Sequence, residues 1–149
     1  MNCKHSAVIA VIFIASTISA SAEPVVKLEA IAGKTPEDIT KVLGKPTRET
    51  KTKYRSDVDG IKYAPTAEYK EGKIEVVFIN GKADWITIDM SGISFDIKAI
   101  EALGLKLAPP TFANANVIRW EPHRLYNSVS IFPQGNGKVD YAYIKVATK

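Results

Sequence analysis

The sequence predicts an α+β fold of two tandem repeats, each a short helix followed by three antiparallel strands, which form one sheet with the helices on one face. The first observation behind this is that NGKADWITI at 80–88 nearly returns as NGKVDYAYI at 136–144. The second is that a helix-like stretch ends in Leu-Gly at 43–44 and again at 103–104. We place the repeat halves at about 34–90 and 94–146. Because neither half buries enough alone, both are expected to share one core in a single domain, 23–149.

End signals predict the first helix over 36–43. Thr35 can cap it, and Pro36 suits its first turn. Apolar residues at 39, 42 and 43 form one stripe, and Gly44 ends the helix. Strands follow at 67–70, 73–79 and 82–90, separated by turns at 71–72 and 80–81.

The same order is predicted for the second half. A helix begins at about Asp96 and ends at Gly104, and a loop rich in Pro, Asn and Ala covers 105–116. Strands are predicted at 117–121, 128–132 and 138–146. In this alignment Tyr69 of the first half corresponds to Trp120 of the second.

The first 22 residues are typical of a secretory signal peptide. Lys4 precedes a nine-residue apolar run at 7–15, and Ala20-Ser21-Ala22 supplies small residues for cleavage before Glu23. We therefore expect an exported protein, periplasmic or secreted, with no transmembrane segment after cleavage. Cys3, the only cysteine, lies in this leader, so the mature chain must rely on its core without disulfides.

A family resemblance follows from these motifs. Leu-Gly-Lys-Pro at 43–46, a strand with Tyr69 or Trp120, and Phe-Ile-Asn-Gly-Lys at 78–82 resemble the SmpA/OmlA (BamE-like) and β-lactamase-inhibitor-protein-like superfamily, as a tandem repeat over nearly all of 34–146. The resemblance implies an exported protein that binds other proteins, in outer-membrane assembly or as an enzyme inhibitor. The chain lacks the lipid-anchor cysteine of the first group and the disulfides of the second, so no functional residue is transferred.

The turn at 80–81 decides which sheet face carries Trp85. A two-residue turn would turn Trp85 into the core with Val76, whereas a three-residue loop with Gly81 as a bulge would place Ile86 there instead. We favour the bulge because it gathers more aliphatic side chains on one face. Trp85 then lies on the face without helices.

By the repeat, Tyr141 and Tyr143 join Trp85 on that face. We interpret the three aromatics as a protein-binding surface, since Tyr and Trp are enriched at binding hot spots. The alternative is that they belong to the core, or to a second core under long loops.

Basic residues at alternate positions suggest a second surface. Lys51, Lys53 and Arg55 share one face if this segment is extended, which would suit an anionic surface or an acidic partner. The alternative, which we favour, is a solvated edge strand that lysines protect from aggregation.

The sequence predicts no catalytic residues, no metal site and no cofactor. His123, the only histidine after the leader, has neither a suggested nucleophile nor further metal ligands. The formal net charge is +4, and +3 without Lys4, which is too low to indicate nucleic-acid binding. We therefore predict an exported non-enzymatic binding module for an extracytoplasmic protein, inhibitor-like or envelope-assembly-like. The alternative is a binder of an anionic small ligand, lipid or surface glycan, and a hydrolase is a weaker third interpretation.

Overall fold

Antiparallel strands build the structure, a computed structural model that describes residues 23–124, 126–146 and 148. The strands are β1 (Arg48–Ser56), β2 (Gly60–Tyr69), β3 (Ile74–Ile79), β4 (Lys82–Asp89), β5 (Phe112–Ala113), β6 (Ile118–Trp120), β7 (Tyr126–Pro133) and β8 (Val139–Val146). They form one eight-stranded sheet in the order β1-β2-β3-β4-β8-β7-β6-β5. Two meanders therefore meet where β4 pairs with β8. The predicted leader, 1–22, lies outside the described residues.

The predicted fold of two helix-plus-three-strand repeats is wrong. Each meander has four strands, because β1 and β5 occupy stretches where the sequence predicts none. The helical parts of the described chain are one α-helix, α1 (Pro36–Leu43), and two 3₁₀ segments, Leu28–Ala30 and Ile97–Leu103. The physical reason for missing β1 is that most of its side chains are exposed on both faces, so it shows no alternation of apolar and polar residues.

The two Asn-Gly-Lys motifs also occupy different turns. Asn80 and Gly81 both have positive φ, 52° and 74°, and form a two-residue turn between β3 and β4. Asn136 instead lies in the longer 134–138 loop, where its Oδ1 accepts a hydrogen bond from the Lys138 N–H at 3.1 Å. The repeated letters therefore do not mark a repeated turn.

The predicted ends of α1 are confirmed. Thr35 Oγ1 accepts a hydrogen bond from the Asp38 N–H at 3.3 Å, and Gly44, with φ of 88°, ends the helix. The second predicted helix is the 3₁₀ segment Ile97–Leu103 rather than an α-helix. Its start is fixed by Asp96, whose Oδ1 accepts from the Lys98 N–H at 2.7 Å.

A β-bulge interrupts the pairing of β3 with β4. Phe78 pairs with Ala83 and Val77 pairs with Trp85, so Asp84 is the extra residue on β4. The bulge expected inside the turn is thus wrong in position. The two-residue turn alone would direct the Trp85 side chain into the core. The extra residue, Asp84, reverses the alternation of side chains along β4, so Trp85 still lies on the predicted face.

Beyond the bulge, Ile86 pairs with Val76 on one side and with Ile144 of β8 on the other. All three side chains are completely buried. The 3₁₀ segments and α1 contribute their buried side chains, among them Ile39 and Ile100, to the same core. Trp85 consequently points to the opposite side of the sheet, which we call the helix-free face.

In the part of the chain that the structure describes, no helix has the length and apolar character needed to cross a membrane.

Candidate functional site

The three predicted aromatics lie together on the helix-free face. In the β4–β8 ladder Trp85 is opposite Lys145, Thr87 is opposite Tyr143, and Asp89 is opposite Tyr141. Trp85 of β4 is therefore a diagonal neighbour of Tyr143 on β8, and Tyr141 follows Tyr143 along β8 on the same face. Each is half-buried rather than fully exposed, so the surface is partly packed against its own neighbours.

Two side chains hold the Trp85 ring in place. Tyr54 of β1 meets it edge-to-face, with ring centroids 6.0 Å apart and an interplanar angle of 85°. The Lys145 ammonium lies over the ring, 4.8 Å from its centroid, in a cation–π contact. Trp85 is thus positioned by strands from both meanders.

The bulge brings a carboxylate to the same place. Asp84 is only 5% exposed, and its Oδ2 accepts a hydrogen bond from Thr148 Oγ1. Within the described residues, Asp84 Oδ1 has no hydrogen-bond donor and the Trp85 indole Nε1 has no acceptor. One buried acceptor and one buried donor therefore stand unpaired on adjacent residues, a costly arrangement in a folded protein.

These residues line a cleft of about 340 Å³ whose wall also includes Tyr54, Lys145 and Thr148. Burial raises the pKa of the Asp84 carboxyl above its ordinary value, and the Lys145 ammonium opposes that rise. Burial also raises the pKa of the Tyr143 phenol, and the charge of Asp84 raises it further. The cleft thus offers an acceptor, a donor, a cation and aromatic surface at close quarters.

In this cleft Asp84 and Thr148 share one hydrogen bond. Among the described residues no group of three His, Cys, Asp or Glu side chains could hold a metal ion.

The other end of the helix-free face is acidic. Tyr141 stacks on Phe132 of β7 with ring centroids 4.8 Å apart. Beside Tyr141 lies a shallow cleft of about 260 Å³ that is also lined by three carboxylates, Glu75, Asp89 and Asp140, and by the ammonium of Lys73. Carboxylates therefore outnumber cations at this end of the face.

Of the predicted basic residues, Arg55 lines the cleft beside Trp85, whereas Lys51 and Lys53 do not line it. Lys51, Lys53 and Arg55 lie opposite Pro65, Tyr63 and Ile61 of β2, on the sheet side that also carries the core. All three are exposed and extend past the helical cover. The segment lies in an edge strand, since β1 is the first strand in the sheet order, and the protective role of its lysines stays a prediction.

Sequence reasoning missed Asp84, Tyr54 and Lys145. Lys145 could have been found, because it lies two residues after Tyr143 and shares its face by alternation. Asp84 could not, because its side chain reaches this face only through the bulge. Tyr54 lies in a strand that shows no periodic signal.

His123 lies outside the cleft, in a tight turn. Its N–H and carbonyl pair with those of Tyr126, and the two rings stack 6.0 Å apart. Burial lowers the pKa of the imidazole, and its Nδ1 has no partner in the described chain. Its position agrees with the interpretation of His123 as a turn residue.

Comparison of the chain with protein-family models, curated proteins and solved structures finds no match. The resemblance to the SmpA/OmlA and β-lactamase-inhibitor-protein-like superfamily therefore stays a prediction.

Proposed function

We propose that this protein is an exported, non-enzymatic binding module that captures another extracytoplasmic protein on its helix-free face, with Trp85 at the centre of the contact. The observation that carries the proposal is that two buried polar atoms on adjacent residues have no hydrogen-bond partner among the described residues. They are the Asp84 Oδ1 acceptor and the Trp85 N–H donor. A partner's peptide group or amide side chain has both a donor and an acceptor, so one group could satisfy both atoms.

Docking requires a small rearrangement. Both atoms are buried, and the side chain over the Trp85 ring is the long, flexible Lys145. Displacing its ammonium would open the ring and the cleft wall while the backbone stays in place. The surrounding half-buried aromatics then supply the apolar rim typical of interface hot spots.

Export is the second part of the proposal, and it rests on the leader at 1–22. Binding rather than catalysis is supported by the absence, in the described residues, of a metal-ligand group and of an oriented nucleophile and base. The partner is expected among envelope or secreted proteins.

The test is affinity capture followed by quantitative binding. The chain from Glu23 is immobilised beside its Trp85→Ala and Val42→Ala variants and exposed to envelope extract, and captured proteins are identified by mass spectrometry. Val42 is the control, because it is 53% exposed and lies on α1, which packs on the other face of the sheet. Far-ultraviolet circular dichroism and urea unfolding first confirm that each variant is folded.

A captured protein is then purified and titrated by calorimetry. We expect Trp85→Ala to weaken its binding by about 2 kcal/mol or more, the size typical of a hot-spot residue, and Val42→Ala to leave it unchanged. Equal binding by the parent and a folded Trp85→Ala variant would show that the helix-free face is not the partner site.

A further inference from the structure

The strand β1 leaves a long edge of the sheet uncovered. Within the described residues it pairs only with β2, over its full span from Arg48 to Ser56. Alternate residues of such a strand direct their N–H and C=O groups outward, where another extended chain can pair with them. The opposite edge, β5, is only two residues long and offers no comparable template.

One face of this edge carries three cations in succession, two residues after Glu49. Lys51, Lys53 and Arg55 are exposed, and none of them forms an ion pair with another described residue. The ion pairs of the hairpin lie at its two ends, Arg48 with Glu68 and Lys62 with Asp59. The middle of the strand therefore presents three free cations at a spacing of two residues.

Apolar surface lies directly beside these cations. Their cross-strand neighbours on β2 include Tyr63, which is 64% exposed, and Ile61, which is 62% exposed. Solvated charges alone would protect an edge from aggregation. Exposed apolar side chains next to them add contact surface that such protection does not need.

We propose that β1 binds an extended, acidic segment of another protein, which pairs with it as a ninth strand of the sheet. Side chains directly opposite in paired strands have Cβ atoms about 5 Å apart on the same face, so acidic residues at every second position would meet Lys51, Lys53 and Arg55. Main-chain hydrogen bonds supply the affinity of such strand addition, and the alternating side chains supply its specificity.

Charge also selects against other occupants. If a second copy of the chain paired through β1, the cationic face of one copy would lie beside that of the other, and like charges opposite each other are unfavourable. A flat anionic membrane fits less well, because Asp57 and Asp59 stand at the tip of the hairpin. Arg55 also lines the cleft beside Trp85, but Lys51 and Lys53 do not, so this strand site would hold if no partner bound at Trp85.

The probe is a fluorescently labelled ten-residue peptide in which glutamate alternates with valine, titrated with the protein and followed by anisotropy. Two further peptides carry N-methyl groups on the glutamates only or on the valines only. They keep the charge and the extended conformation, but each removes the N–H donors along one edge of the peptide. The protein variant K51E/K53E/R55E is tested with the same peptides and with one in which lysine replaces glutamate.

We expect the unmodified peptide to bind, and one of the two N-methylated peptides to lose that binding. The triple variant should bind the glutamate peptide about tenfold more weakly, as expected for three exposed ion pairs, and should gain the lysine peptide. Binding should also weaken as salt rises from about 0.01 M to about 0.15 M, because the screening length falls from about 30 Å to about 8 Å.

Other results overturn the proposal. Equal binding of both N-methylated peptides would show simple anion attraction without strand pairing. Failure of the unmodified peptide to bind, or binding that the triple variant leaves unchanged, would show that this edge is only protected by its lysines. Binding to vesicles with anionic lipid, in competition with the peptide and lost in the same variant, would identify the surface as a membrane site instead.

Discussion

Replacement of Ile86 by alanine tests the register on which the face assignment depends. Ile86 is completely buried on the central strand β4, between Val76 and Ile144. Its neighbour Thr87 is half-buried and points to the helix-free face, opposite Tyr143. The two substitutions therefore probe adjacent residues on opposite faces of one strand.

The expected magnitudes differ severalfold. Ile86→Ala removes three buried methyl or methylene groups, worth about 0.8 kcal/mol each in transfer free energy, or about 2.4 kcal/mol together. The cavity left in the core adds to this, so we expect a loss of about 3–4 kcal/mol, within the range measured for such truncations. Thr87→Ala removes a smaller, half-solvated side chain and should cost less than about 1 kcal/mol.

The assay is urea unfolding followed by tryptophan fluorescence, with the free energy of unfolding extrapolated to water. A domain of this size is stable by about 5–15 kcal/mol, so both variants should remain folded. If Thr87→Ala cost as much as Ile86→Ala, or Ile86→Ala cost less than about 1 kcal/mol, the bulge at Asp84 and the helix-free face built on it would be wrong.

The remaining predictions concern buried polar groups. Trp120 Nε1 donates to the Ala108 carbonyl at 2.9 Å, so Trp120→Phe should lower the free energy of unfolding by about 1–3 kcal/mol, whereas Trp85→Phe should cost clearly less because its N–H has no acceptor in the described chain. Urea titration of both variants checks this, and a larger loss for Trp85→Phe would contradict it. Burial raises the pKa of Asp84 above its ordinary 3.8, so stability is greatest with the carboxyl protonated and is lost as pH rises through the raised value. Asp84→Asn should therefore become more stable relative to the parent as pH rises above the ordinary value of 3.8. Asp89 is the opposite control, because hydrogen bonds from Ser91 lower the pKa of its carboxyl. The stability lost in Asp89→Asn should be largest above the ordinary pKa of 3.8, and the stabilities of variant and parent should converge as pH falls. Unfolding midpoints across this pH range decide both, and parallel profiles for the two variants would refute the assignment.

Local signals predicted a large part of the structure. The cap at Thr35, the stop at Gly44 and the apolar stripe between them locate α1. Alternating side chains locate β3, β4 and β8 and bring Tyr141 and Tyr143 to one face, whereas Trp85 joins them only through the bulge at Asp84. These features are predictable because each depends on residues that are close in sequence.

Similarity between short motifs was a weaker guide. The Asn-Gly-Lys motifs differ in structure, because a turn depends on how many residues its flanking strands leave unpaired as well as on its own sequence. The inferred tandem repeat of three strands failed for the related reason that β1 is exposed and β5 is very short. Exposed strands are held by hydrogen bonds to their neighbours, and these bonds leave no periodic pattern of apolar residues in the sequence.

By itself, the sequence determined the capped helix and the buried strands. Only the tertiary structure decided that β4 pairs with β8, that β1 forms an open edge, and that a bulge turns Asp84 toward Trp85. The physical reason is that burial along one strand imposes a pattern on the residues of that strand, whereas pairing and bulges arise from hydrogen bonds between segments far apart in the chain.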